Sequence, residues 1–158
     1  MKFNVKQLTK VAIVAALYVV STMAIAPIGY GAIQFRVSEI LNLLAFFNPM
    51  YGISLVLGCA IANLFSPYGL YDLFFGTLST LISVIFIIKS KNLFIASLWP
   101  SLFIPILVGI EITILTNMPF LVTAFPILIS EFIIMTLIGY PVFKVLGKNN
   151  KFISILEK

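Results

Sequence analysis

Long apolar runs separated by short polar turns dominate this 158-residue chain and constrain its fold more than any other feature. Hydrophobic residues make up 61% of the sequence and charged residues only 9%, which is far from the balance of a water-soluble globular domain. A helix of roughly 20 apolar residues crosses the hydrocarbon core of a bilayer. The pattern therefore predicts an all-α integral membrane bundle in which residues 1–158 form a single transmembrane domain.

Turn residues and charges divide the chain into helical segments. The predicted helices cover about residues 7–27, 38–48, 49–65, 70–88, 93–116 and 120–143. The first apolar run resembles a signal peptide, but Pro27 would occupy the first mature position, so we predict a retained helix. At Asn48-Pro49 two alternatives exist. The chain either kinks within one long helix, giving five spans, or reverses between two shorter helices, giving six.

The distribution of basic residues favours six transmembrane helices with both termini cytoplasmic. A reversal at Asn48-Pro49 collects every basic residue except Arg36 on one side, as the positive-inside rule requires. These residues are Lys2, Lys6, Lys10, Lys89, Lys91, Lys144, Lys148, Lys151 and Lys158. The segment 38–48 is short for a span, so it must tilt or the membrane must thin around it. We expect a multi-pass protein of the bacterial cell membrane.

Composition also excludes several classes of function. The chain contains no Walker-type glycine loop, so any ATP hydrolysis must come from partner subunits. It contains no histidine and one cysteine, Cys59, which we expect to pack as a small hydrophobe. We therefore predict that the chain is not an enzyme and needs no cofactor or metal. The net charge of +5 is scattered singly at helix ends, which suits membrane lipid rather than nucleic acid.

Four of the five acidic residues lie in or beside apolar runs: Glu39, Asp72, Glu111 and Glu131. A carboxylate at membrane depth is costly, so each is a functional-site hypothesis by default. With six spans, Glu39 and Asp72 begin their helices at the outer face. Glu111 lies roughly 7–8 Å below that face and Glu131 roughly 16 Å below it, at 1.5 Å per residue. The acids therefore predict a binding pocket that opens outward.

Other polar residues near the predicted outer end are further candidates. Asn42 shares a helix face with Glu39, and Asn63 lies just below the end of the third helix. Arg36 has an alternative role, because it can pair with Glu39 while Ser38 or Glu39 caps the start of a helix.

Hydroxyl and aromatic side chains at this end have alternative structural roles. Asp72 begins a polar stripe with Gly76, Ser79 or Thr80, and Ser83, which helix packing explains except for the carboxylate. Aromatic rings at the same end can stack on a planar ligand or anchor the protein in the interface. They belong to Tyr30, Phe35, Tyr68, Tyr71 and Phe120. Carboxylates and amides together suit a small solute that is planar or cationic and rich in N–H donors.

Taken together, the motifs resemble those of the QueT family of substrate-binding (S) components of energy-coupling factor transporters. The resemblance covers nearly the whole chain. It is carried most specifically by the runs QFRVSE at 34–39, which contributes Gln34, and NLFSPYG at 63–69 with Tyr71 and Asp72. Supporting matches are Phe47-Asn48-Pro49, Val108-Gly109-Ile110-Glu111, and Ser130-Glu131 followed by Gly139-Tyr140-Pro141. The family pattern has a Gly-Glu pair where Ser130-Glu131 stands here, which leaves the role of Glu131 open.

The resemblance implies capture of a queuosine precursor, a deazaguanine base, from outside the cell. It also implies a transmembrane coupling subunit and two ATPase subunits as partners, with Ala12 and Ala16 matching the alanine motif that docks on the coupling subunit. Residue spacing alone makes Ala12 and Ala16 only a small-xxx-small step for close helix approach. A stand-alone secondary transporter of a small heterocyclic or cationic solute is the alternative, although no inverted repeat is detectable. Whether the precursor is a cyano form, an aminomethyl form or another heterocycle stays open.

Overall fold

Eleven helical segments make up the described part of the chain, which comprises residues 4–30 and 33–157 of a computed structural model. They are α1 (Val5–Ala24), α2 (Ala26–Gly29), a 3-10 segment (Val37–Leu43), α3 (Leu44–Phe47), α4 (Met50–Asn63), α5 (Leu70–Lys89), α6 (Leu93–Thr116), α7 (Phe120–Glu131), a π segment (Phe132–Gly139), α8 (Tyr140–Leu146) and α9 (Asn150–Glu157). The predicted positions of Lys2, Gly31 and Lys158 lie outside the described residues. The all-α prediction is confirmed for the rest.

Four helices are long and apolar enough to cross a membrane. They are Val5–Ala24, Leu70–Lys89, Leu93–Thr116 and Phe120–Leu146, the last of which includes the π segment. Their bounds agree closely with the predicted segments, because charges and turn residues end them where expected. Val37–Phe47 and Met50–Asn63 are apolar but shorter than a typical span. The count of six crossings and the sidedness of the termini therefore stay predictions.

The chain reverses direction at Asn48-Pro49. At one end of the bundle Arg36 Nη1 donates to Asn63 Oδ1 over 2.9 Å, so the start of the 3-10 segment meets the end of α4. At the other end Asn48 Nδ2 donates to the Leu156 carbonyl over 2.8 Å, beside the C-terminal helix. Because the start of the first segment contacts the end of the second, the turn joins antiparallel helices rather than bending one helix.

The 3-10 geometry of Val37–Leu43 lengthens the short segment before this turn. A 3-10 helix rises about 2.0 Å per residue and an α-helix about 1.5 Å, so Val37–Phe47 spans about 20 Å instead of about 16 Å. The sequence predicted that only tilt or membrane thinning would compensate for the length. Stretching of the helix itself is a third contribution, and runs of 3-10 helix this long are uncommon outside functional or strained sites.

The π segment after Glu131 packs against the 3-10 segment. A Cβ atom on Gly139 would lie only 3.0 Å from Ile40 Cγ1 and 3.2 Å from Leu43 Cδ1, so glycine is what allows this approach. π-helical turns are rare and concentrate at functional sites. Two irregular helices, one starting at Val37 and the other ending at Gly139, therefore meet inside the bundle.

The predicted helices end at about residue 143, and the structure adds the helix α9 beyond them. Phe152 packs edge-on against Phe47, with ring centroids 6.1 Å apart, and also against Phe143 at 6.3 Å. Lys10 donates to the Ile155 carbonyl, which ties α9 to α1. The apolar side chains of α9 thereby cover the end of the bundle that carries both termini.

Candidate functional site

Arg36 is the centre of a buried polar cluster at the end of the bundle opposite to α9. Its side chain is only 4% exposed and lies in the segment before the 3-10 helix. Nε donates to the Gly29 carbonyl over 3.0 Å, and Nη2 lies 3.5 Å from both carboxylate oxygens of Asp72. Burial disfavours the charged guanidinium, but Asp72 together with Cys59, Tyr18 and Glu39 outweighs this effect and raises the pKa of Arg36. Arg36 therefore stays charged inside the bundle.

Asp72 is held by the turn between α4 and α5. Ser66 in this turn donates to the carboxylate, and Asn63 Nδ2 donates to the Asp72 backbone carbonyl over 2.9 Å. Gly76, one turn further along α5, lets the Asn63 amide approach, since a Cβ there would lie 2.6 Å from Asn63 Nδ2. The predicted polar stripe is thus buried along its length, and it carries specific hydrogen bonds as well as close packing.

The alternative in which Arg36 pairs with Glu39 is wrong. The ion pair found among the described residues joins Arg36 to Asp72, because the turn at 64–69 brings the start of α5 against the guanidinium. Ser38 does not cap the start of the helix either, since no side chain accepts a capping hydrogen bond there. Its hydroxyl accepts a hydrogen bond from Thr22 Oγ1 at 2.7 Å, which fastens the 3-10 segment to α1.

Glu39 forms a second part of the cluster, deeper in the bundle. The Tyr18 hydroxyl and the Asn42 amide both donate to its carboxylate, and all three side chains are at most 2% exposed. The predicted pairing of Glu39 with Asn42 on one helix face is therefore present. Tyr18 comes from α1, so this carboxylate links the first helix to the 3-10 segment.

Glu111 and Glu131 are buried without the partners that a buried carboxylate requires. Glu111 is 0% exposed and lies against the Asp72 carboxyl group, and neither of its carboxyl oxygens accepts a hydrogen bond from an amide, hydroxyl or basic group among the described residues. Glu131 is 1% exposed, and its Oε2 likewise has no partner within residues 4–30 and 33–157. Unsatisfied buried polar groups cost about 1–3 kcal/mol each, and more when charged. These two carboxyls therefore account for the strongest unmet hydrogen-bonding demand in the cluster.

The cluster contains more acidic than basic groups. Four buried carboxyls share it with one guanidinium, that of Arg36, and that guanidinium is engaged by Asp72. A buried charge without a counter-ion is strongly unfavourable. The arrangement is therefore suited to a ligand that brings N–H donors, a positive charge, or both.

Gln34 adds a hydrogen-bond donor to this cluster of acceptor carboxyls. Its side chain is 1% exposed, and its amide Nε2 has no hydrogen-bond partner in the described chain. Its backbone has a φ of +50°, in the left-handed region, where residues other than glycine are uncommon and cost about 1 kcal/mol or more. The segment before the 3-10 helix therefore holds a donor inside the protein at an energetic cost.

Of the aromatic candidates, Tyr30 joins the cluster and Tyr71 does not. The Tyr30 ring lies under the Arg36 guanidinium, 5.1 Å from Cζ to the ring centroid, and its hydroxyl donates to the Ala62 carbonyl over 2.6 Å. Tyr71 is 47% exposed and lines an outer surface pocket with Leu70 and Phe74. It precedes Asp72 by one position, so it points about 100° away around α5.

Several partners within the cluster were not predicted from the sequence. Tyr18 and Ser66 both hold carboxylates, and Cys59 takes part in polar contacts rather than packing only as a hydrophobe. Thr80 Oγ1 lies 3.2 Å from Cys59 Sγ, and Asn63 Nδ2 lies 3.4 Å from it. A tyrosine at membrane depth, away from the interface where tyrosines usually lie, was the available signal for Tyr18.

Ala12 and Ala16 lie apart from the cluster, on the exposed side of α1. They line an apolar groove of about 530 Å³ between α1 and α4, with Leu8, Val19, Leu57 and Ile61 among its other walls. The neighbouring Ala15 faces inward and packs against Gly58, where a Cβ would lie 3.0 Å from the Ala15 carbonyl. The small residues of α1 therefore serve two faces, one inside the bundle and one open on its surface.

Comparisons with known proteins agree with the resemblance seen in the sequence. A family model described as QueT transporter matches residues 8–148. Over 83 residues the chain is 48% identical to the queuosine precursor transporter QueT of Lactococcus lactis subsp. cremoris (strain MG1363), a match that covers 51% of this chain and 48% of that relative. The match thus spans about half the length of this curated relative, and no solved structure matches the chain. Because the family model covers most of the chain, this multi-pass membrane protein belongs to the QueT transporter family.

Proposed function

We propose that this chain is the substrate-capturing membrane subunit of an energy-coupling factor importer, and that its substrate is a queuosine precursor with a deazaguanine base. Family membership and the name of the lactococcal relative support the substrate class. The buried cluster around Arg36 is the binding site. ATP hydrolysis belongs to two partner ATPases, and a transmembrane coupling subunit joins them to this chain.

The observation that carries this proposal is Glu111. A carboxyl group that is buried beside a second carboxyl, and that accepts no hydrogen bond from a donor group among the described residues, serves no packing purpose that an apolar side chain would not serve better. A deazaguanine base carries N–H donors on its exocyclic amino group as well as on its rings, and a buried carboxyl group is a strong acceptor for them. Glu111 accepts from the exocyclic amino group, and the ion pair of Asp72 with Arg36 lies beside this acceptor.

In the membrane we propose six crossings with both termini in the cytoplasm. The cluster then lies toward the outer face, under the segments 33–36 and 64–69. Its residues are closed to solvent in the structure, so capture requires these segments to move apart. Docking on the coupling subunit uses the groove lined by Ala12 and Ala16. Lysines at the end of the bundle opposite to the cluster contact anionic lipid.

Binding and uptake test the two halves of the proposal separately. The purified chain should bind 7-deazaguanine bases in a titration, and mass spectrometry of co-purified small molecules should distinguish cyano from aminomethyl forms. Cells that express the chain alone should take up no substrate, whereas cells that also express the coupling subunit and ATPases should. Robust uptake by the chain alone would favour a stand-alone transporter and overturn the subunit assignment.

Cysteine labelling tests the sidedness. Cys59 is fully buried, so the unmodified chain provides a background with low reactivity. A cysteine at the exposed Lys91 should react only with reagents that reach the cytoplasm, and a cysteine at Met118, which is 52% exposed, should react from outside. The reverse pattern would overturn the proposed orientation.

A further inference from the structure

The chain segments that carry Gln34 and Glu131 meet in the fold although 97 positions separate them in the sequence. Ser130 Oγ donates to the Ile33 carbonyl over 2.8 Å, and this bond joins the residue before Gln34 to the residue before Glu131. Both side chains are at most 1% exposed. Each also has a polar atom without a partner in the described chain, Nε2 of Gln34 and Oε2 of Glu131. A buried donor and a buried acceptor, both without partners in the described chain, therefore lie on two segments that this hydrogen bond joins.

Neither group can satisfy the other in the observed geometry, and no hydrogen bond joins them among the described residues. The orientation of the Gln34 amide follows from the surrounding charge. Glu131, on the adjoining segment, has an acceptor oxygen without a partner among the described residues, so an amide nitrogen turned toward it is favoured over an amide oxygen. The left-handed backbone of Gln34 keeps the donor in place.

We propose that Gln34 and Glu131 together select a ligand with a lactam edge, in which a ring carbonyl stands next to a ring N–H. Gln34 Nε2 donates to the carbonyl, and Glu131 accepts from the adjacent N–H. This inference rests on the proposed function and extends it, because it names the two residues that distinguish a 6-oxo base from its 6-amino counterpart. An amino group in place of the carbonyl would leave the Gln34 donor facing another donor.

The magnitude of the selection follows from the cost of a buried unpaired donor. A site built around a hydrogen bond rejects an analogue that cannot complete it, because the buried group is left unsatisfied. Loss of one such bond corresponds to roughly 5- to 150-fold in affinity. We expect the unmodified chain to bind 7-deazaguanine at least about 10-fold more tightly than 2,6-diamino-7-deazapurine, which carries an amino group in place of the ring carbonyl.

The test measures both bases on three variants of the full chain in detergent. Gln34→Glu replaces the donor by an acceptor of the same size, so its preference for 7-deazaguanine over the diamino base should fall; it need not invert, because the diamino base also lacks the ring N–H that Glu131 accepts. Glu131→Gln should lose affinity for 7-deazaguanine. Ser101→Ala is the matched control, because Ser101 is a buried hydroxyl on α6 with no partner in the described chain and lies ten residues from Glu111. This variant should keep the original preference.

The outcomes separate this inference from the proposed function. If neither base binds the unmodified chain, the proposed substrate class is wrong. If 7-deazaguanine binds but the diamino base binds equally well, and Gln34→Glu leaves both affinities unchanged, the lactam-edge assignment is wrong while the substrate class stands. Thermal unfolding of each variant shows whether an affinity loss comes from misfolding. A folded Gln34→Glu variant with unchanged preference also overturns the assignment.

Discussion

Removing the Arg36 guanidinium should destabilise the protein far more than a surface charge would. Arg36 contacts Gly29, Asn63 and Asp72, and its side chain is almost completely buried. In Arg36→Met the aliphatic stem is retained, but the Asp72 carboxylate loses its counter-ion inside the bundle. Breaking a buried pair by removing one partner costs about 3–5 kcal/mol, since an uncompensated charge remains.

A double-mutant cycle isolates the electrostatic part of this loss. Asp72→Asn alone leaves Arg36 buried and unpaired, so it should also be destabilising. The combination of Arg36→Met with Asp72→Asn removes both charges, so no unpaired charge remains buried. We therefore expect the double variant to lose less stability than the two single variants together, by about 1–3 kcal/mol.

The measurement is reversible unfolding of the four proteins in detergent without ligand, followed by circular dichroism. Arg36→Lys serves as a control, because it keeps the charge but cannot make the forked contacts with Asn63 and Asp72. The free energy of unfolding of Arg36→Lys should therefore lie between that of the unmodified protein and that of Arg36→Met. Strict additivity of the two single variants, within about 0.5 kcal/mol, would refute the view that this pair organises the cluster.

Three further predictions address binding, assembly and packing. Glu111→Gln should weaken binding of a deazaguanine at least about 10-fold while the unfolding temperature stays within a few degrees, and an unchanged titration would contradict the role of Glu111. Ala12→Trp should fill the groove and abolish co-purification with the coupling subunit without changing ligand affinity, whereas Leu17→Trp, on another exposed face of α1, should assemble normally. Gly76→Ala should cost about 1–3 kcal/mol in an unfolding titration, because its Cβ would displace the Asn63 amide; equal stability would show that this contact is not constrained.

The sequence alone predicted the helices, because apolar runs, charges and turn residues mark their ends locally. The segment 93–116 matches α6 at both ends, and the other long helices match to within a few residues. The 3-10 and π segments have no such local mark in the sequence; in the structure they pack closely against each other at Gly139. The helix α9 was not predicted, because the lysines in and around it make the segment polar overall although Phe152 packs on Phe47.

The sequence also identified most of the buried polar residues, for a simple energetic reason. Carboxylates and amides in apolar runs are expensive, so each of them stands out without any knowledge of the fold. Arg36, Glu39, Asn63 and Asp72 were all named in this way and all lie in the cluster. Tyr71 was named too, but its position one residue from Asp72 turns it outward, a consequence of helical rotation that composition does not reveal.

Pairing was decided only by the tertiary structure. The sequence placed Arg36 three residues from Glu39, but the fold joins Arg36 to Asp72, because the turn at 64–69 returns the chain to the same end of the bundle. In the same fold the Tyr18 hydroxyl donates a hydrogen bond to Glu39, whereas Glu111 accepts none from a donor group in the described chain. The sequence determines which polar groups need a hydrogen-bond or ion-pair partner when they are buried, because the cost of burial depends on residue type. Only the packing of helices that are distant in the sequence determines which partner each group has.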